Sequence, residues 1–487
     1  MKSSQGRAWR WVGPGIIAVV LGACSHVDKA ADEVDEQLAG IEATMKGEDG
    51  STEAEAPDVE VATRDRGGEV STRPSPQRPK SFKREWYVST SGSDKAAGSK
   101  KAPFRTIRRA IEAVGPGEAI RVLPGEYSGS VVIDGSVKAG RADAPIVLLG
   151  ERHPRIVPGG GGSLVQIRKP HWIVEGFDID VKGQQRFAVV FEGNTDGSVL
   201  ADSRIHHGAL GGGVTTYGGA RNVTIEGNDI HDFRKKPRGD SHGVVVQATS
   251  RDIVIRDNDI HDNSGDSVQC LKPDSRSAAP ARGVVIEKNR LYSNDENAVD
   301  IKTCNDVVVR NNDMHGFKKS PSSAGEAVVV HYSAKNVRVE KNRISDAGRG
   351  ISVGGVRDGG QPSPSNVEVK GNRIRDISKD GGSDGVGIRV ENARSVEVVG
   401  NDIQGTAGYG MMLGLGANNA PSENLTVQGN VIQGPNLVRI GQHRPGLRMD
   451  RNRYGAGGRF KADPKEMNDF SEWKKLSGVD KSSVQSR

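Results

Sequence analysis

The chain has 487 residues, 64 of them glycine, few aromatic residues and a mean hydropathy of -0.54. That composition argues against two or three ordinary layered globules and for a repeat architecture. The net charge of +6 hides an uneven distribution: residues 1–24 carry +3, residues 25–60 carry -10 and residues 61–487 carry +13. A basic body of this kind attracts nucleic acid, anionic lipid or acidic polysaccharide, or simply stays soluble, and charge alone does not choose among them.

In chain order, Lys2, Arg7 and Arg10 precede an apolar run from Gly15 to Leu21, too short to span a bilayer and of the length of a signal-peptide core. The run closes in Leu21-Gly22-Ala23-Cys24, which resembles the bacterial lipoprotein cleavage box. The resemblance implies export, cleavage before Cys24 and a membrane anchor through lipid on its thiol, with the chain held in the cell envelope, at the outer membrane or cell surface. Residues 25–84 are acidic and then rich in Pro, Ser, Thr and Arg, with no sustained apolar period, and read as a flexible spacer.

Residues 85–165 form the expected N-terminal cap and first coils. Within them, Thr106 to Val114 reads as an amphipathic helix with Ile107, Ala110, Ile111 and Val114 on its apolar face. From there one pattern recurs through residues 166–455: apolar, any, apolar, two residues, Asn, any, apolar. Its asparagines are Asn228, Asn258, Asn289, Asn312, Asn342, Asn372, Asn401 and Asn430, mostly 29 to 31 residues apart with one gap of 23. Alternating β-branched residues predict strands, and Asn between two short strands predicts a tight turn that takes the left-handed conformation. Each repeat is then one coil of a solenoid, and the stacked asparagines form a ladder at about 4.8 Å spacing. Residues 456–487 complete the chain as a C-terminal cap and tail.

Three runs near the N-terminal end carry a resemblance: Tyr87-Val88-Ser89 through Gly92-Ser93-Asp94, Ala102-Pro103-Phe104-Arg105-Thr106-Ile107, and Leu123-Pro124-Gly125-Glu126-Tyr127. They look like the opening of bacterial pectate-lyase-like β-helix proteins, and Phe470-Ser471-Glu472-Trp473 with Gly478-Val479-Asp480 is similar to their C-terminal end. The resemblance spans roughly residues 85–485. It implies an all-β fold, a single-stranded right-handed parallel β-helix of the pectin-lyase-like kind with an N-terminal capping helix; a monomer is expected. Cys270 and Cys304 fall on neighbouring coils three positions out of register, beyond the roughly 7 Å Cα limit for a bridge, and read as packing residues.

A second strand in each coil puts one side-chain set outward. Its columns hold Tyr217, Gln247, Gln269, Asp300, Lys302, His331, Arg389 and Glu391, a mixed-charge stripe that is either a binding face or an ordinary solvated strand face. Acids collect in the turns before it: Asp240 with His242, then Asp266, then Asp295 and Glu296, then Glu326. Asp266, Glu296, Asn297 and Asp300 converge as a hard-oxygen cluster suited to Ca²⁺. The run Asn294-Asp295-Glu296-Asn297-Ala298-Val299-Asp300-Ile301 resembles the calcium site of the family 9 polysaccharide lyases. In that resemblance Glu296, Asn297 and Asp300 stand at ligand positions and Asp266 supplies a further ligand from the preceding coil. The position matching that family's catalytic lysine is Val329, so the family's mechanism requires a substitute base.

A polyuronate lyase removes a weakly acidic proton beside a carboxylate, and needs a cation for the carboxylate and a base for the proton. Lys302 and His331, in one column on adjacent coils, are the candidates, His331 being the easier base. Gln247, Gln269, Arg389 and Glu391 are candidate contacts to further sugar units. The expected function is a calcium-dependent lyase of acidic polysaccharide; the alternatives are a non-catalytic glycan-binding or structural β-helix, and a glycoside hydrolase or epimerase using Asp266 and Asp300 as a carboxylate pair. Nucleic acid is excluded as a partner by export and by the lack of interleaved aromatics. A second column, His206, His231, His261, Tyr292 and His315, reads as a stacked ladder rather than a metal site.

Overall fold

The computed structural model describes residues 78–234, 239–273, 278–355, 363–414 and 422–486. The leader, Cys24 and most of the spacer lie outside them. Alternating Val and Ile drive three strands per coil, and each strand hydrogen-bonds its equivalent one coil on. The result is three 14-stranded sheets wrapped around one core. The first sheet runs from Glu85–Val88 to Arg448–Asp450, the second from Val131–Ile133 to Lys465–Met467, and the third from Glu126–Ser128 to Val484–Gln485. Pairing is parallel except where Arg459–Ala462 meets Lys465–Met467. Inward residues such as Val299, Ile301, Val328 and Val330 are wholly buried, each contributing about 1.5–3 kcal/mol by leaving water.

The expected helix is present as Ile107–Ala113, with the Thr106 side chain accepting from the Arg109 amide at its start. Ile107, Ala110 and Ile111 are buried against the first coils. At the other end, helix Phe470–Ser477 begins at Asp469 and stops at Gly478, which takes φ 74. Its Trp473 is fully buried and donates from Nε1 to Asp480 Oδ2 at 2.8 Å.

The asparagines are a hydrogen-bonded ladder. Each Oδ1 accepts both the backbone N–H and an Nδ2–H of the asparagine one coil earlier, as Asn342 does for Asn312 at 3.0 Å each. The remaining Nδ2–H goes back to a carbonyl of an earlier coil, for example Asn342 to Val309 at 3.0 Å. The ladder starts where the Ser203 amide donates to Asn228. It extends one rung further than the eight expected, to Asn452, and ends on Ser483 and Asp480.

The left-handed residue is not the asparagine but the one before it: Gly227, Asp257, Lys288, Asn311, Lys341, Gly371, Gly400, Gly429 and Arg451 all have positive φ. The turn strain falls on a neighbour so that the asparagine side chain stays free to bridge coils.

The two cysteines are bonded to each other and are not separate packing residues. Cys270 pairs in register with Ile301, but after that strand the chain turns through Lys302 and Thr303 and folds Cys304 back toward the core. Their Cα atoms come to 6.1 Å and the thiols form a disulfide. Register along a strand does not measure distance across a corner.

Asn342→Ala should cost about 3 kcal/mol, since it strands two buried donors of Asn312 and removes an acceptor and donor pair; urea unfolding measures it, and a loss below about 0.5 kcal/mol contradicts a structural ladder. Cys270→Ser should lower stability by about 3–4 kcal/mol, the loop-closure value for a separation of 34 residues. The wild-type Cys270 and Cys304 should resist thiol reagents until reduced.

Candidate functional site

The stripe lies on the second sheet, where the register sets Gln269, Asp300, Val329, Ser352 and Arg389 side by side on consecutive coils. The next outward column carries Lys302 and His331 beside one another, since Ile301 pairs with Val330. Gly354 follows in that column before Glu391. A Cβ on Gly354, which sits at φ 92, would lie 1.4 Å from the Glu391 carbonyl oxygen, so only glycine lets that coil close. A short second asparagine ladder, Asn263 onto Asn294 at 2.9 Å, fixes the corner that enters the strand of Asp300.

The stripe is not a solvated strand face. Gln269, Asp300, Arg389 and Glu391 are buried, and Lys302 and His331 nearly so. The turns before the strands roof it: Ser323 donates to Asn297 Oδ1 at 2.6 Å, and Ser383 donates to the Ala324 and Gly348 carbonyls. Period two gives which way a side chain points, not what covers it.

Asp300 is the hub. Its Oδ1 receives His331 Nε2 at 2.7 Å and its Oδ2 lies 3.6 Å from Lys302 Nζ. Burial pushes the Asp300 carboxyl up, but His331, Lys302 and His242 outweigh that and hold it below the ordinary carboxylate range. For Lys302 burial favours the neutral amine, yet Asp300 above all, with Tyr332, Asp266 and Glu296, holds the ammonium well above its ordinary value. Held as an ammonium, Lys302 suits facing a carboxylate better than taking a proton. Because Asp300 is ionised it can only accept, so His331 carries its proton on Nε2. Its Nδ1 points away from that contact and has no hydrogen-bond partner among the described residues.

The four residues expected to hold calcium are close together but largely satisfied by protein. Asp266 accepts the Asn297 backbone and side-chain N–H groups at 3.1 and 2.9 Å and Gln269 Nε2 at 3.0 Å. Asn297 Oδ1 accepts from Ser323 and from the Glu326 amide. Calcium takes roughly six to eight oxygens, and this arrangement does not offer that shell. Glu296 stands apart. Burial pushes its carboxyl well above the ordinary range, and the charges of Asp266 and Asp240 push it further, against a Ser322 hydrogen bond and Lys302. Asp240 and His242 come with ligand atoms within 4.8 Å of Glu296, a grouping that the acid-rich turns hinted at. The Asp266 amide already donates to His242 Nδ1 at 2.9 Å, which takes that lone pair.

The candidate sugar contacts are engaged as well. Gln247 donates to Thr215 Oγ1 at 2.9 Å and Gln269 to Asp266. Arg389 bridges Asp384 at 2.7 Å and Glu391 at 2.9 Å. With Arg349 held between Glu326 and Asp384 at 2.7–2.8 Å, these residues form an alternating chain of five charges that sequence spacing did not reveal. Arg349 is one strand on from Glu326 in register, a signal visible only once coils are aligned. On the third sheet the rings of His206, His231, His261, Tyr292 and His315 do stack, with centroids 4.6–5.2 Å apart.

A parallel solenoid with these coil lengths defines a class, the β-helix proteins, and the chain belongs within it to a particular family. Residues 178–274 and 273–432, over half the chain, match the family described as right handed beta helix region. Residues 90–132 match a family of proteins of unknown function, DUF1565. No curated protein matches. Among solved structures the chain is similar to the PL6 family alginate lyase AlyGC, at a TM-score of 0.55 and 14% identity, covering 78% of this chain and 52% of that one. The chain thus spans about half the length of that lyase. Pectate lyase Pel9A is similar at a TM-score of 0.42 and 19% identity over 64% of this chain and 78% of that one. The A-module of the Azotobacter vinelandii mannuronan C-5 epimerase AlgE6 is similar at 0.40 and 18% over 77% and 91%. Likeness at these identities is one of fold.

Glu296→Gln tests the buried carboxyl. A folded value raised above the unfolded one means stability that is full below the unfolded value, near 4.3, and lost as pH rises toward the folded one, by at most about 1.4 kcal/mol per pH unit. In EDTA the glutamine variant should match wild type near pH 4 and melt higher at pH 8; equal melting at both contradicts a neutral Glu296.

Proposed function

We propose that the chain cleaves an acidic polysaccharide by β-elimination, with His331 as the base and Lys302 as the cation that faces the uronate carboxylate. One observation carries this: Asp300 joins the two residues, with His331 Nε2 2.7 Å from one oxygen and Lys302 Nζ 3.6 Å from the other, which turns His331 Nδ1 away from the carboxylate. His331 Nδ1 takes the C5 proton, the electron pair forms the C4–C5 double bond, and the C4–O bond breaks onto the glycosidic oxygen, which is protonated by solvent. Lys302 lowers the cost of charge building on the carboxylate. The +13 balance of residues 61–487 favours a polyanionic chain. The alginate lyase among the similar folds supports an acidic polysaccharide as the substrate class. Calcium enters this reading only as an additive whose effect is to be measured, and a lipid on Cys24 would hold the enzyme at the envelope.

The buried chain Glu326–Arg349–Asp384–Arg389–Glu391 favours a second reading, a rigid glycan-binding face without chemistry, because charges paired this way hold shape rather than transfer protons. Polygalacturonate and alginate, each with Ca²⁺ or with EDTA, discriminate the two by the ultraviolet absorbance of unsaturated uronate. The lyase reading expects product from wild type and a loss of about 10²–10⁴ in kcat for His331→Ala, with its circular dichroism retained and its melting lowered by the loss of the Asp300 contact. Glycan binding without product, equal in wild type and His331→Ala, supports the binding face and defeats the lyase.

A further inference from the structure

At one end of the stacked histidine column the pairing changes. In the third sheet His206, His231 and His261 are register partners, and each is followed by a residue of positive φ: His207 at 57, Asp232 at 58 and Asp262 at 54. In an extended strand consecutive side chains point to opposite faces, and the left-handed residue turns its side chain back beside the ring before it. For His231 and His261 this delivers a carboxylate to Nδ1, from Asp232 at 2.8 Å and Asp262 at 2.7 Å. For His206 it delivers a second imidazole, with His207 Nδ1 at 2.6 Å from His206 Nδ1.

The proton count at His206 follows from its other nitrogen. Nε2 lies 2.6 Å from Asp178 Oδ1, and Asp178 is also bound by Arg155 at 2.8 Å. An ionised carboxylate only accepts, so Nε2 carries the proton and Nδ1 presents a lone pair to His207. Two ring nitrogens at that distance repel unless a proton or a cation lies between them. Asp180 Oδ1 completes the group, 4.0 Å from His206 Nδ1 and 3.7 Å from His207 Nδ1, and the Lys182 amide steadies it at 2.9 Å.

We propose that His206 Nδ1, His207 Nδ1 and Asp180 Oδ1 form a binding site for a borderline divalent transition metal such as Zn²⁺, on a different sheet from the Asp300 site. Ligands at about 2.0–2.1 Å from a tetrahedral zinc lie roughly 3.3 Å apart, and the three separations here straddle that value. Two imidazoles and one carboxylate suit zinc or its neighbours and not calcium, which prefers oxygen alone. Asp178 stands behind His206 as the carboxylate that orients a metal-bound imidazole. His206 and Asp180 are buried while the His207 side chain is 58% exposed, so one coordination position opens to solvent.

The test is calorimetric titration of the EDTA-stripped full-length protein with Zn²⁺, paired with visible absorption on titration with Co²⁺. Wild type should take up Zn²⁺ at this site without competition from Ca²⁺ and give the intense bands of four-coordinate cobalt. His207→Ala, at an exposed position, should keep its circular dichroism and melting while losing one metal equivalent and the cobalt bands, and Asp180→Asn should behave alike. Asp178→Asn should weaken affinity about 10–100-fold. No saturable uptake by wild type, or a stoichiometry unchanged in both His207→Ala and Asp180→Asn, overturns the site and leaves an ordinary imidazole-to-imidazole hydrogen bond.

Discussion

The asparagine ladder is the constraint on which everything else rests. A parallel solenoid has no turn of fixed length to set its register, and a slip of one residue would send every outward side chain inward. Each rung ties a backbone amide and a side-chain amide of one coil to a single oxygen of the next, so the register is renewed about every 30 residues along the chain. The coils then differ in loop length, as at the short step from Asn289 to Asn312, without losing alignment on the opposite sheet.

That alignment is what makes a site out of residues far apart in sequence. Asp300 and His331 meet because Ile301 and Val330 are register partners, and Lys302 joins them as the next outward residue on its own strand. The same logic builds the Glu326 to Glu391 charge chain and the stacked rings on the third sheet. Loops of the coils then cover the stripe, and burial strengthens the charge interactions within it: Lys302 is held as an ammonium and Asp300 as a carboxylate, while Glu296, with acids for neighbours, is pushed well above the ordinary carboxylate range.

Much of this was legible in the sequence. The strand pairs, the eight asparagines, the helix after Thr106 and the outward columns followed from period-two alternation and a fixed repeat. What escaped is equally specific. The left-handed position fell on the residue before each asparagine because side-chain bonding, not backbone tolerance, is what the asparagine supplies. The Cys270–Cys304 bridge depended on a corner, and the saturation of Asp266 and Asn297 on hydroxyl and amide donors from Ser323, Gln269 and Glu326, none of which linear spacing encodes. Acid clustering was visible; which acids keep free lone pairs was not.

The orientation of His331 by Asp300 is the point on which the proposed chemistry turns. Nitrogen-15 NMR of histidine-labelled protein, assigned with a His331→Gln variant and recorded at a pH where the ring is neutral, reports which nitrogen bears the proton. A proton on Nε2, with Nδ1 unprotonated, is the expected result and leaves a base aimed away from Asp300. A neutral ring protonated on Nδ1 would contradict the Asp300 contact as described and remove His331 as the base.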